Sequence, residues 1–294
     1  MFELPSILIA GAQGQLGYEL EALAREEGFS VTALDSEQLD ILDRAAVRTA
    51  IDQYRPDFVV NAATVIQAKE ETSAGYTVNS RGAAILAECC ADAACALVHV
   101  SCAEVFSDRS AGPYTEETET GPISTYAKSK LRGEELVRLA LPQHVIIRTG
   151  WLFSARGSSF VRELLEQARD QVEIEVAEGL LGAPTSAADL ARVILAMMKQ
   201  LHSGAPCWGT YHYSAAESIS WFGFAEAIVA AARQYEDIAL ERLIAVSQSR
   251  LSMRPRPGNS RLDCDKILAN FGIHQRTWRS GLMQVVRSYY SWTA

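Results

Sequence analysis

Five short runs that are apolar almost from end to end punctuate the first half of the chain: SILIAGA (6–12), SVTALD (30–35), FVVNAA (58–63), ALVHVSC (96–102) and HVIIRTGWLF (144–153). Helical patterns such as LGYELEALAREEG and SRGAAILAECCADA lie between them. Strands without polar alternation must be covered on both faces, and helices between them supply the cover, so a parallel, doubly wound α/β sheet is predicted. Ligands of such sheets bind at the carboxyl ends of the strands. Beyond about residue 154 the rhythm loosens: SSFVRELLEQARD and AADLARVILAMMKQL read as helices, VEIEV as a strand and RPRPGNSRLD as a loop. A smaller α/β unit with return visits to the first is expected there.

The first βα junction reads LIAGAQGQLGYEL and places Gly11, Gly14 and Gly17 between the first strand and the first helix. Glycine is required where the turn is tight, where backbone approaches a pyrophosphate and where helix packs on strand, and the helix N-terminal amides bind the anion. Asp35 closes the next strand, where a carboxylate accepts hydrogen bonds from an adenosine ribose and repels a 2′-phosphate. Ser36 rather than an arginine follows it, which favours NAD, while Arg44 leaves NADP open. Asp40 suits either the adenine amino group or a helix N-cap.

The segment PISTYAKSKLRGEELV sets Tyr126 and Lys130 four residues apart, on one helix face. A phenol titrates near pH 10, and a neighbouring ammonium favours the phenolate that proton transfer requires. That pairing suits a carbonyl reductase, with Tyr126 protonating the oxygen as hydride arrives from a nicotinamide. Lys128, two residues away from Tyr126, belongs to another face.

The formal charge of −9 over 294 residues argues against a nucleic-acid surface. The six cysteines (Cys89, Cys90, Cys95, Cys102, Cys207, Cys264) and five histidines fall at no metal-ligand spacing, so free thiols and no metal are expected. No apolar run reaches the roughly 18 residues of a membrane span, and MFELPSILIAGAQG lacks the pattern of a signal peptide. A cytoplasmic protein without membrane partners is expected.

From end to end the chain resembles the dTDP-4-dehydrorhamnose reductase family of the extended short-chain dehydrogenase/reductase superfamily. The resemblance is carried by GAQGQLGYEL, LDILD, PDFVVNAA, TVNSRGAAILA, PYTEE, YAKSKLRGE, IIRTGWLF, GAPTSAADLA, GTYHYSAAESISWFGFA and RPRPGNSRLDCDKI. It implies a Rossmann-type dinucleotide domain over 1–153 with roughly 185–203, and a substrate-binding domain over roughly 154–184 and 204–294. It implies NAD or NADP held by Gly14, Gln15 and Leu16 at the pyrophosphate, by Asp35, Asp40 and Ile41 at the adenosine, and by Ala62, Ala63 and Thr64. Tyr126 and Lys130 take the catalytic positions, and Trp151 the position on which a nucleotide base stacks. A nucleotide-sugar substrate follows, with Arg261 the foremost phosphate candidate beside Arg254 and Arg256, and a homodimer is expected by analogy.

Departures from the family concentrate in the substrate half. Where the family reads Ser-Thr-Asp-Tyr-Val-Phe, this chain reads Ser101, Cys102, Ala103, Glu104, Val105 and Phe106, so a thiol replaces the catalytic threonine hydroxyl. A thiol is the poorer donor. Gly179 and Leu180 replace an acidic residue and glutamine, and TVIQAKEET is about three residues shorter than usual and lacks a tyrosine. Two functions are therefore weighed: a reductase of a keto group on a nucleotide-linked deoxysugar, and a dinucleotide-binding regulatory subunit resembling that of methionine adenosyltransferase.

Overall fold

The computed structural model describes residues 4–67, 70–107, 111–251 and 253–293. In the first half β1 (Ser6–Ala10), α1 (Gln15–Glu26), β2 (Ser30–Leu34), α2 (Arg44–Tyr54) and β3 (Phe58–Asn61) lead into α3 (Ala74–Thr77). A π-helical turn at Val78–Gly82, α4 (Ala83–Ala93), β4 (Ala96–Cys102), α5 (Thr125–Ala140) and β5 (His144–Thr149) follow. The second half runs β6 (Leu152–Phe153), α6 (Phe160–Asp170), β7 (Glu173–Ala177), β8 (Leu181–Gly182), β9 (Thr185–Ser186), α7 (Ala187–His202) and β10 (Gly209–His212). It closes with β11 (Ile219–Ser220), α8 (Trp221–Ala232), β12 (Arg242–Val246), α9 (Asp265–Phe271) and α10 (Trp278–Thr293).

The principal sheet is parallel throughout, in the order β2-β1-β3-β4-β5-β10. Its covered faces explain the unbroken apolar runs. Along β1, Ile7 and Ile9 pack against Leu20 of α1 and Leu190, Ile194 and Met198 of α7. Leu8 and Ala10 point the other way, to Val47 and Ile51 of α2, Leu86 of α4 and Val137 of α5. β1 pairs β2 on one side and β3 on the other, and this is the topological switch point, outside which ligands of doubly wound sheets bind.

A separate core gathers Val161 and Leu165 of α6, Phe224 and Ile228 of α8, and Trp278 and Val286 of α10 over the β7–β12 pair. The return to the first layer extends beyond the expected 185–203. β10 pairs with β5, and Ile267 and Phe271 of α9 join the first core. GTYH is too short and too mixed to announce a sheet strand; its place is fixed by Tyr211, buried under α9 and edge-on to Phe271 at 5.1 Å.

Polar groups are sealed beneath α5. His212 lies at the end of β10, with Nδ1 against the carbonyls of Tyr114 and Asp263 and with Arg148 beside its Nε2. Burial, then the Arg148 charge, push its pKa down to about 3. An unfolded histidine titrates near 6.5, so between these values the unfolded chain binds the additional proton and stability rises with pH. Buried His99 and His144, both lowered mainly by burial, act in the same direction. The melting temperature is expected to fall as pH is lowered from about 6.5 toward 5. Calorimetry should find a shallower fall in His212→Gln; an identical slope would remove His212 from this account.

Candidate active site

The glycines after β1 are forced by close contact. Gly11 has φ +90°, and a Cβ there would meet Ala63 N at 2.6 Å; a Cβ on Gly17 would lie 2.2 Å from Gly11 O. The turn therefore presses α1 onto the strand, with Leu16 buried as the anchor. Gly14 occupies the N-cap of α1 without a side-chain cap, and no acidic residue lies in the first turn. The leading amides of α1 are thus left to an anion. Gln15 Nε2 donates to Ser158 O at 2.6 Å, which ties the loop to the second half, while its buried Oε1 has no partner.

At the end of β2, Asp35 Oδ2 accepts from Gln13 Nε2 at 2.5 Å, and Oδ1 accepts the Glu37 and Gln38 N–H groups at 2.9 and 3.0 Å. The carboxylate is fixed beside the glycine loop. Asp40 accepts from Leu42 N at 2.9 Å within a turn, and Asp43 is the residue that caps α2, through Ala45 and Ala46. The N-cap alternative for Asp40 is thereby corrected. Ile41 is buried where a Cβ on Gly82 would lie, 2.5 Å from its Cδ1. Ala62, Ala63 and Thr64 follow β3, and the backbone of Ala62 and Ala63 packs against the glycine turn. This crevice of close-packed glycines, uncapped amides and a terminal carboxylate fits a dinucleotide.

Asn79 was not singled out by sequence reasoning, yet it fastens the loop after β3 to α5. Its Oδ1 accepts from Val65 N at 2.9 Å and Thr64 Oγ1 at 3.3 Å. Its Nδ2 donates at 2.9 Å to Val65 O and to Ser129 Oγ, which in turn donates to Tyr126 O at 2.7 Å. The π-helical turn that aims Asn79 has no signature in the residues themselves. Part of the shortened TVIQAKEET loop, residues 68 and 69, lies outside the described residues.

Tyr126 and Lys130 are both buried on α5, which Ser124 caps by accepting from Ala127 N at 3.1 Å. Lys130 Nζ donates to Val100 O at 2.6 Å. Burial draws its pKa down, against the pull of Cys102 and Glu134. Burial most of all, then Cys102 and Glu104, raise the Tyr126 phenol, whereas Arg254 and a hydrogen bond with Thr64 oppose the rise. Cys102 ends β4 next to this pair. Burial and Glu104 push its thiol up to about 12, so it sits there as a protonated thiol, not a thiolate nucleophile. Lys128 is exposed, its Nζ 4.0 Å from Glu71, on a different face of α5.

After β4 a short 3-10 turn buries Ala103 and Glu104. Both oxygens of Glu104 accept from the Arg254 fork, the Nη2 contact at 2.9 Å, and the guanidinium carbon lies 4.5 Å from the Tyr126 ring centre. Trp151 adopts φ +46° and meets Trp221 edge-on at 4.6 Å. A Cβ on Gly182 would stand 2.5 Å from its indole, so the ring lies directly on that backbone. Arg256 lies 4.7 Å over Trp221 with its Nε buried and unpartnered. Arg261 Nε donates to Asn259 Oδ1 at 3.0 Å and its Nη2 to Ala111 O, so it fastens the loop at 254–263 to residues 111–114. Arg254 and Arg256 are the arginines beside Tyr126 and Trp221. Gly179, at φ +73°, and buried Leu180 lead into β8.

Among the described residues no helix is long and apolar enough to cross a membrane, and no three His, Cys, Asp or Glu side chains gather as a metal site. A parallel doubly wound sheet, a close-packed glycine turn with uncapped helix amides at its switch point and a buried Tyr/Lys pair on α5 are the features of a nicotinamide-dependent oxidoreductase. Residues 5–291 match the family model of the RmlD substrate binding domain. The chain is 35% identical over 291 residues to the dTDP-4-dehydrorhamnose reductase of Aggregatibacter actinomycetemcomitans, covering 96% of this chain and 98% of that protein. Among solved structures it is similar to a dTDP-4-dehydrorhamnose reductase from Clostridium acetobutylicum, at TM-score 0.88 and 29% identity over 96% of this chain and 99% of that one. The Bacillus anthracis dTDP-4-dehydrorhamnose reductase solved with NADP is similar at TM-score 0.88 and 29% identity, covering 97% and 99%. The chain belongs to the dTDP-4-dehydrorhamnose reductase family.

Proposed function

We propose that this protein reduces the keto group of a nucleotide-linked deoxysugar, with the active site spanning the crevice between the glycine loop and Arg254. The observation that carries the reading is the buried Tyr126/Lys130 pair on α5, tied through Ser129 and Asn79 to the cofactor crevice. A nicotinamide held there would supply the hydride, with its electron pair, that the keto carbon accepts. Tyr126 gives its proton to the carbonyl oxygen, so the phenol O–H bond breaks as the alcohol O–H bond forms. Lys130 stabilises the phenolate that remains and orients the nicotinamide ribose. Cys102 contributes a weak S–H contact to the same oxygen. Trp151 with Arg256 favours a nucleotide base and its phosphates on the other side.

The full-length match to reductases favours this reading over the regulatory one. The dinucleotide-binding part comprises 1–153 and 185–203, joined by β10 and α9, and the remainder forms the substrate-binding part. Asp35, held by Gln13 and two backbone amides, supports NAD over NADP, because a 2′-phosphate would meet its charge. Calorimetric titration is expected to find NADH bound at least about tenfold more tightly than NADPH, roughly 1.4 kcal/mol. NADH oxidation is expected with a 4-keto-6-deoxy sugar nucleotide. Absence of binding by either dinucleotide would sink the proposal.

A further inference from the structure

Glu104 and Arg254 stand 150 residues apart in sequence and meet beside the proton donor. Glu104 is only 8% exposed. A bare carboxylate buried beside Tyr126 would oppose phenolate formation, and it would do so strongly where water is scarce. Here the carboxylate is not bare: the Arg254 fork takes both of its oxygens while lying across the phenol ring at 4.5 Å. A cation over the ring face gains attraction when the phenol becomes phenolate.

Resting on the reductase reading above, we propose that Arg254 is a positioning residue that acts through Tyr126: clamped by Glu104, it cancels the carboxylate's field at the phenol and lets the proton leave. Glu104 fixes the guanidinium in place and is itself the charge that makes the guanidinium necessary. The charges that act on Tyr126 are those of Cys102 and Glu104, from β4 and the turn after it, and of Arg254, which lies on its ring. Lys130 lies one helical turn along α5, and Arg256 feels Glu104, Arg254 and Tyr126 from the loop at 254–263. The charge buried at Glu104 is therefore compensated within the chain.

Cys102 reports this field without any turnover, because Glu104 raises its thiol while Lys130 and Arg254 lower it, and its residue is partly exposed. Alkylation by iodoacetamide follows the thiolate fraction, so each unit of pKa changes the rate about tenfold at fixed pH. At pH about 8.5, Glu104→Gln is expected to alkylate at Cys102 about tenfold faster than wild type, Arg254→Gln about tenfold slower, and Arg254→Lys near the wild-type rate. The double variant Glu104→Gln/Arg254→Gln should return to the wild-type rate. Mass spectrometry of the Cys102 peptide reads these rates, and thermal melts confirm that each variant is folded.

In NADH oxidation, Arg254→Gln alone should lower kcat by about ten- to a hundredfold, and the double variant should lose clearly less than Arg254→Gln. Equal impairment of Arg254→Gln and the double variant, or alkylation rates that do not move, would overturn the proposal. The expected alkylation order in a protein that oxidises no NADH would overturn the reductase reading instead, leaving the charge arrangement standing.

Discussion

Tyr126→Phe should abolish NADH oxidation while dinucleotide binding persists. The ring remains under Arg254 and in its buried pocket, so packing is kept and only the hydroxyl is lost. General acid catalysis of this kind contributes on the order of 10²–10⁴-fold, and the neighbours offer no substitute. Cys102 stays protonated with its pKa near 12 and is a weak donor, and Lys130 Nζ is already committed to Val100 O. Cys102→Thr is the companion test. It restores a hydroxyl at the end of β4, and a donor aimed at a developing oxyanion is worth on the order of 10²-fold in turnover. Steady-state kinetics with NADH and a 4-keto-6-deoxy sugar nucleotide measures both. Turnover surviving in Tyr126→Phe would transfer the proton to another group and remove the role assigned to α5.

The parts legible in the sequence are those whose physics is local. Ile7, Leu8, Ile9 and Ala10 are all buried because both faces of β1 are covered, so an unbroken apolar run announced a parallel strand directly. Gly11 and Gly17 answered to close backbone contacts, and Tyr126 and Lys130 to helical spacing. What stayed hidden depends on residues far apart in the chain. Nothing adjacent to Glu104 signals that Arg254 will neutralise it. Nothing adjacent to Arg261 signals that its guanidinium will also donate to Ala111 O, 150 residues earlier. The role of Asn79 required a π-helical turn that no residue pattern encodes.

Replacing Glu134 is expected to have the largest effect on stability. Its side chain is fully buried on α5, one turn beyond Lys130, and accepts from Arg148 Nη2 at 2.7 Å and Nε at 2.9 Å, from Arg138 Nη2 at 2.5 Å and from Ser101 Oγ at 2.6 Å. Burial alone would raise its pKa; the hydrogen bonds and charge of Arg148, helped by Ser101 and Arg138, hold it below the usual carboxylate value. That stabilisation is present above the unfolded carboxyl pKa and lost as pH falls through the lower folded value. Glu134→Ala leaves Arg148, only 3% exposed, as a buried charge without its carboxylate, and such losses cost about 3–5 kcal/mol. In a chain of this size that corresponds to a fall in melting temperature of roughly 10 °C. Glu134→Gln keeps the acceptor oxygen and should cost less, whereas Glu134→Leu with Arg148→Met removes both charges and should recover most of the loss. Denaturant melts of the three variants separate the possibilities. If the alanine variant melts like wild type, β4, α5 and β5 are held by their apolar faces alone and the sealed ion pair adds nothing; if only the alanine variant collapses, the cost lies in the orphaned guanidinium and not in the missing salt bridge.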